Sequence, residues 1–198
     1  EVWEEAAKYY DQAISTEYVL SDYTTYHLAK CYQLLEDYEK SVRYYQLFVN
    51  HYPESPHFSE AKFQIAVIHQ KQANHHKALQ FFTDLANEKE GSYIREATFE
   101  MAGIYEELQD WQKAKTLYDK LISKNTSDSI ALASLNQLEK SVLKSVELRV
   151  TRKQLMDQGE VLDKNLRLTD ALKKYRKIAT GYQDELTTQA TYKIGKTY

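Results

Sequence analysis

The 198-residue sequence is poor in the residues that break regular structure and in those that cross-link it. It contains only 5 glycines and 2 prolines. Because an all-β chain needs both residue types at its turns, this composition argues against an all-β fold. Cys31 is the only cysteine, so no internal disulfide can form. No stretch approaches the roughly 18 consecutive apolar residues of a membrane-spanning helix.

The sequence also lacks the signals of a nucleic-acid binder and of a catalytic or metal centre. Lys and Arg number 26 against 29 Asp and Glu, whereas nucleic-acid-binding domains usually have a basic face. The 6 histidines occur in no His-Glu-x-x-His or Cys-x-x-Cys motif. No base that could activate Cys31 is identifiable, so we interpret it as a buried, inert thiol. We therefore predict a protein that is not an enzyme and that has no metal site and no cofactor.

One pattern of apolar residues occurs five times in the sequence. A bulky residue is followed after three positions by a small residue, after four more by an aromatic residue and then by an apolar residue. The copies are Trp3–Ala6–Tyr10–Ala13, Tyr38–Ser41–Tyr45–Phe48, His75–Ala78–Phe82–Leu85, Trp111–Ala114–Tyr118–Ile122 and Leu168–Ala171–Tyr175–Ile178. Apolar positions three or four apart indicate an amphipathic helix.

A second amphipathic pattern lies between these copies. It begins at Thr24, Ala61, Ala97 and Ala190, and it ends five residues later at Ala29, Ala66, Ala102 and Gly195. From each of the first three endings to the small residue of the next first pattern there are 12 residues. The alternation predicts helical hairpins that hide their apolar faces by stacking. Asp37, Asn74 and Asp110 precede the second helices as candidate N-caps.

These residues resemble the tetratricopeptide repeat family over roughly residues 1–125 and 168–198. Signature positions are matched by Leu28-Ala29, Ser41 and Tyr45, and by their counterparts in the later repeats. The resemblance implies an all-α fold, a right-handed superhelix (α-solenoid) of tetratricopeptide hairpins. The sequence departs from the family at the usual turn glycine, which is replaced by Glu36, Ala73 and Gln109.

One linker is similar to those of bacterial cell-envelope tetratricopeptide proteins, such as the Tol–Pal coordinator and the barrel-assembly lipoprotein. It reads Tyr52-Pro53-Glu54-Ser55-Pro56 and accompanies a repeat spacing of 36–37 residues. This resemblance implies a periplasmic or outer-membrane-associated location, with the cytoplasm as the alternative.

Residues 128–167 break the repeat period. The small residues Ala114 and Ala171 are 57 positions apart instead of about 36. We expect one irregular extended helical segment here, a helix that runs to about Gln158 and ends at Gly159 as a C-cap. Such a helix would project as an interaction or dimerisation arm; the alternative is a helical hairpin that packs back. The sequence thus divides into a repeat array at 1–127 (a half repeat plus three full repeats), the segment 128–167, and further repeat helices at 168–198.

The two ends of the sequence fall inside repeats. Trp3–Ala13 is a second helix without a first, and Thr191–Tyr198 is a first helix without a second. We therefore expect the sequence to be a fragment of a longer repeat protein.

In the family, the first helices line the concave face and bind partner proteins. Carried over by position, the predicted partner-binding residues are Tyr23, Tyr26, Lys30, Gln33, Glu60, Phe63, Val67, Gln70, Lys71, Glu96, Phe99, Glu106, Tyr192 and Lys196. Gly103 and Glu107 belong to the same positions. Tyr26, Phe63, Phe99 and Tyr192 form an aromatic series, which serves either as anchors for a bound segment or only for packing.

The predicted function is a scaffold or adaptor that binds a peptide or partner protein on its concave face. We expect it to bind no nucleic acid and to have no membrane-spanning segment. Two alternatives remain at this point. The chain is a structural or regulatory module of a larger multidomain protein, or it self-associates as a homo-oligomer through residues 128–158.

Overall fold

A computed structural model describes residues 2–14, 21–124, 127–144, 150–180 and 183–198. Every regular element in these residues is an α-helix. In chain order the helices are α1 (Val2–Ile14), α2 (Ser21–Leu34), α3 (Tyr38–His51), α4 (Phe58–Lys71), α5 (His75–Ala86), α6 (Ile94–Glu107), α7 (Trp111–Lys124), α8 (Ser129–Lys144), α9 (Arg152–Lys164), α10 (Leu168–Ala179) and α11 (Glu185–Thr197). The predicted all-α fold is confirmed.

The chain forms two compact units. Unit 1 comprises Glu1–Ala97 and unit 2 comprises Thr98–Tyr198, so the division falls inside α6. Unit 1 contains the hairpins α2–α3 and α4–α5, and unit 2 contains most of α6 with α7, and the hairpin α9–α10. No described helix of either unit has the length and apolarity needed to cross a membrane.

Four hairpins are closed by the same turn. In each, one residue adopts a left-handed backbone conformation: Glu36 (φ 58°), Ala73 (55°), Gln109 (60°) and Leu166 (59°). The amide of the following residue donates to a carbonyl five positions back, as in Asp37 N to Tyr32 O at 2.9 Å and Arg167 N to Leu162 O at 2.8 Å. This is the Schellman arrangement, in which glycine is normally preferred because it has no Cβ. The sequence therefore accepts a strained residue at each turn.

The small residues lie where the two helices of a hairpin touch. Ser41, Ala78, Ala114 and Ala171 are buried in the second helices. Ser41 also binds its partner helix directly, because its hydroxyl donates to the carbonyl of Ala29 at 2.9 Å. The capping predictions are confirmed at Asp37 and Asp110, whose carboxylates accept from the amides of Lys40 and Lys113 at 3.2 Å. Asn74 is also an N-cap by position, although its side chain makes no capping hydrogen bond.

The prediction of one extended helix ending at Gly159 is wrong. α8 ends at Lys144, and Thr151 has extended backbone angles (φ −76°, ψ 161°) before α9 begins. Thr151 and Gln154 form a reciprocal capping box, which starts a new helix because it satisfies amides at its first turn. The segment packs back instead of projecting, since α9 pairs with α10 and α8 packs against α7.

Gly159 lies inside α9 and is the small residue of a fourth hairpin. It is buried, and a Cβ at this position would overlap the ring of Tyr175 on α10. Gly159 precedes Ala171 by 12 residues, the spacing that joins the two patterns in the first three hairpins. Close helix packing, not helix termination, explains this glycine.

Candidate protein-binding surface

The first helices of consecutive hairpins lie side by side in unit 1. The side-chain amide of Gln33 on α2 donates to the amide oxygen of Gln64 on α4 at 2.8 Å. The two helices also meet through aromatic rings. Tyr26 of α2 stacks on His57, which precedes α4, with ring centroids 4.4 Å apart and planes inclined by 14°. α2 and α4 therefore form a shared surface, on which the predicted binding residues of unit 1 are carried.

Tyr26 does not belong to the accessible part of that surface. Its side chain is only 2% exposed, and its ring packs against Tyr45 at 5.9 Å and Phe48 at 5.6 Å. Burial, together with a hydrogen bond to Glu60, raises the pKa of the Tyr26 hydroxyl. For Tyr26 the structure favours packing over the role of an anchor for a partner.

The other members of the aromatic series differ in exposure. Phe63 and Phe99 are half-buried and contact the second helices of their own hairpins, Phe63 with Phe82 at 5.4 Å and Phe99 with Tyr118 at 5.8 Å. Tyr192 on α11 is 68% exposed. One repeat position thus has a core residue, two half-buried rings and one open ring, so the series is not a uniform set of anchors.

Two predicted binding residues are already engaged inside their hairpins. The hydroxyl of Tyr45 donates to Gln33 at 2.9 Å, and the hydroxyl of Tyr118 donates to Glu106 at 3.2 Å. Donor and acceptor are 12 residues apart in both hairpins. Glu106 also accepts a hydrogen bond from Ser141 on α8. These polar groups hold helices together, which leaves them less free to recognise a partner.

The accessible part of the α2–α4 surface is made by fewer residues. Tyr23 and Lys30 on α2 and Lys71 on α4 are exposed, and Val67 on α4 is half-buried. The ammonium of Lys71 lies 5.9 Å from the ring centroid of Tyr38. We call the set Tyr23, Lys30, Val67 and Lys71 the α2–α4 patch below. It combines two cations with an aromatic and an aliphatic side chain.

The remaining predicted residues lie outside this patch. Glu60 is half-buried beside His57, with Oε2 and Nδ1 3.4 Å apart. The others are half-buried or exposed on their helices: Gln70 on α4, Glu96 and Gly103 half-buried on α6, Glu107 exposed on α6, and Lys196 exposed on α11.

Sequence reasoning missed a cluster of histidine and tyrosine rings beside the patch. His27 contacts Tyr23 with ring centroids 4.0 Å apart and Tyr10 with centroids 5.8 Å apart. His27 and His57 face one another at 6.5 Å. The sequence positions of the histidines were the signal that could have revealed the cluster. His27 directly follows Tyr26, the aromatic residue of the second pattern, and His57 directly follows the proline-containing linker.

Sequence reasoning also missed a buried ion pair in unit 2. Lys115 on α7 is 6% exposed and its ammonium lies 2.5 Å from the carboxylate of Asp119. The same carboxylate accepts from the side-chain amide of Gln154 on α9 at 2.7 Å. Burial raises the pKa of Asp119, with a smaller contribution in the same direction from Asp157, while Lys115 lowers it. This network joins α7 to the start of α9.

The structure bears on the chemistry predicted for Cys31 and the histidines. Cys31 is buried, and this burial raises the pKa of its thiol, which confirms the prediction of a buried thiol. Among the described residues no group of three or more His, Cys, Asp and Glu side chains could hold a metal ion.

Comparison with known proteins relates this arrangement to one repeat family. The tetratricopeptide repeat model matches residues 23–55 and 96–126, which cover most of the α2–α3 and α6–α7 hairpins. No curated protein sequence matches the chain at a significant level.

Several solved structures share the fold at low sequence identity. The crystal structure of BtubC (BKLC) from P. vanneervenii superposes with a TM-score of 0.59 and 11% identity, covering 99% of this chain and 84% of that one. A putative kinesin light chain with nearly identical TPR-like repeats from Podosopora anserina gives 0.60 and 14%, covering 83% and 89%. A tetratricopeptide repeat protein from Parabacteroides merdae gives 0.53 and 17%, covering 98% and 77%. These similarities show the fold.

Proposed function

We propose that the chain is a protein-interaction module whose α2–α4 patch binds a segment of another protein. Repeat arrays of this type are typically non-catalytic scaffolds whose stacked helices present extended binding surfaces. The family match and the structural neighbours support an interaction module.

The observation that carries the proposal is the preformed contact between α2 and α4. Gln33 and Gln64 join the two helices, and Tyr23 and Lys30 remain exposed on α2. A surface held in place before binding loses little conformational entropy when a partner docks. An extended or helical segment laid along the patch would place apolar groups on Tyr23 and Val67 and acidic groups near Lys30 and Lys71.

The test is partner capture followed by affinity measurement. The chain captures partners from a lysate of the source cell, and the captured protein is purified and titrated against the Lys30→Ala/Lys71→Ala variant. We expect affinity to fall roughly tenfold, since interface residues of this kind contribute on the order of 1 kcal/mol or more. The matched control is Lys120→Ala/Lys124→Ala on α7, which removes the same charge from exposed positions outside the patch. Equal affinities for both variants would place the binding site elsewhere.

We also propose that the module acts in a bacterial cell envelope. The motivating feature is the linker Tyr52-Pro53-Glu54-Ser55-Pro56, in which the Ser55 hydroxyl donates to Asp22 at the start of α2 at 3.4 Å. The full-length gene tests this location: an export signal at its start supports the envelope, and a precursor without one contradicts it.

A further inference from the structure

His27 and His57 lie in the contact between the first two hairpins of unit 1. His27 is on α2, and His57 immediately precedes α4. Their ring centroids are 6.5 Å apart, with planes inclined by 71°. Tyr26 stacks on His57 on the inner side, and Tyr10 of α1 stacks on His27 on the outer side. The two imidazoles therefore form part of the packing that holds α2 against α4.

The charged groups around this pair are few. Glu60 on α4 provides a carboxylate, 3.4 Å from His57, and Tyr26 already donates a hydrogen bond to it. Lys30 on α2 acts on His27 as a like charge once the imidazole is protonated. Of the other titratable groups, Tyr10 on α1 and Tyr23 on α2 contact the ring of His27. The next groups outward act on neighbours of the pair: Cys31 on Tyr10, Tyr45 and Tyr93 on Tyr26, and Asp22 on Ser55.

Protonation of His27 opposes this packing for two reasons. The imidazolium would be placed in a half-buried site, where it loses part of its hydration. It would also lie beside His57 and Lys30, and Glu60 already interacts with His57. Burial first, and Lys30 and His57 next, lower the pKa of His27 below its ordinary value, and the smaller opposing effect of Glu60 does not cancel them.

The sign of the pH dependence follows from that direction. A histidine with a lowered pKa in the folded state binds fewer protons there than in the unfolded chain. Its contribution to stability is therefore fully present above about pH 6.5, the ordinary value, and is lost as the pH falls through the folded-state pKa.

We propose that protonation of His27 in mild acid weakens its contact with His57, loosens α2 from α4 and thereby releases a partner from the α2–α4 patch. Release of a partner rests on the proposed function, whereas the loosening does not. Unit 2 provides an internal reference, since all 6 histidines of the chain lie in residues 27–76.

Hydrogen–deuterium exchange of the isolated 198-residue chain tests the loosening without any partner. Exchange is followed by mass spectrometry at about pH 7.5 and about pH 5.5 and corrected for the intrinsic rate at each pH. We expect amides of α2 and α4 to lose up to about tenfold in protection, because a single histidine shifts the opening equilibrium by at most that factor over this range. Amides of α9 and α10 keep theirs.

Three variants decide whether the histidines cause the change. His27→Gln, which cannot be protonated, should abolish the acid-induced loss, and His57→Gln should reduce it while leaving His27 in place. His76→Gln is the matched control on the exposed face of α5 and should behave like the unaltered chain. The proposal is overturned if α9 and α10 lose protection equally, or if His27→Gln and His57→Gln both retain the full response. A captured partner that fails to bind the patch would contradict the proposed function and leave this result standing.

Discussion

Unit 1 and unit 2 hold their neighbouring hairpins together by different chemistry. In unit 1 the contacts between hairpins include ring pairs, such as Tyr26 with His57 and Phe63 with Tyr93 at 4.9 Å, beside the amide pair of Gln33 and Gln64. In unit 2 they include charged and amide groups: Gln154 with Asp119, Arg152 with Asp184, Lys174 with Glu139 and Lys193 with Glu160.

The difference lies between hairpins and not within them. Hairpins of both units have a residue with left-handed backbone conformation at the same turn position, and a buried small residue at the same position of the second helix. Closing a hairpin therefore requires a fixed register, whereas joining one hairpin to the next accepts aromatic or ionic contacts. The two units should accordingly respond differently to substitution, acid and salt.

The largest effect is expected from breaking the buried ion pair of unit 2. Lys115→Met leaves the Asp119 carboxylate without its cation in a site where burial already raises its pKa. The variant should lose about 3 kcal/mol of unfolding free energy near neutral pH, measured by urea denaturation. The deficit should shrink in acid, because protonation removes the unpaired charge. In the control, Lys115→Met/Asp119→Leu, most of the stability should return; a double variant as unstable as the single one would show that the pair is not the cause.

The next effect concerns Gly159 and Gly103, two of the glycines inside helices of unit 2. Gly159→Ala places a methyl group against the Tyr175 ring and should cost about 1–3 kcal/mol in urea denaturation. Gly103→Ala is its matched control, because no atom beyond its chain neighbours and its own helix backbone lies within 4 Å of the added Cβ. It should stabilise the chain by about 0.5–1 kcal/mol, since alanine favours a helix more than glycine does. If both changes act in the same direction, Gly159 is not a packing residue.

A smaller gain is expected at the hairpin turn of unit 2. Leu166 has a φ of 59° and is 84% exposed, so replacing it loses little packing. Leu166→Gly should raise the melting temperature through about 1 kcal/mol of relieved strain. Leu166→Ala retains the Cβ and should have little effect. A melting temperature unchanged by glycine would mean that the left-handed turn is not strained.

The smallest effect is expected at an exposed ion pair of unit 2. Arg152, together with the amide of Thr187, lowers the pKa of Asp184 to about 2. Because the folded-state pKa is depressed, this contribution is present above the ordinary value of about 3.8 and is lost as the pH falls toward about 2. Amides at the start of α11 should lose protection over that range in hydrogen exchange, and Asp184→Asn should remove the dependence. A dependence that persists in Asp184→Asn would point to another carboxylate.

Much of the fold could be predicted from the sequence because repetition makes local patterns reliable. The 12-residue spacing located the first three hairpins, and the same spacing counted back from Ala171 reaches Gly159 in the fourth. Gly159 was nevertheless predicted to end a helix, because glycine serves both at helix ends and at close helix contacts. The Thr151–Gln154 capping box was the local signal that a new helix begins after α8.

The candidate site was less predictable, because exposure depends on the partner helix and not on the repeat position. Tyr26 is 2% exposed and Tyr192 is 68% exposed, although they occupy the same position of the pattern. Tyr26 meets Tyr45 of its own second helix as well as His57 from the following linker. Such contacts depend on the neighbouring hairpin, which a single repeat pattern does not encode.

The central claim, that a partner lies on the α2–α4 patch, is tested most directly by site-specific photo-crosslinking. A photoreactive amino acid replaces Lys30 or Val67 in one set of chains and Lys120, on α7, in the control, and each chain is irradiated with the captured partner. We expect crosslinks from positions 30 and 67 to one continuous segment of the partner and none from position 120. Crosslinks from position 120 alone would contradict it and place the partner on α7.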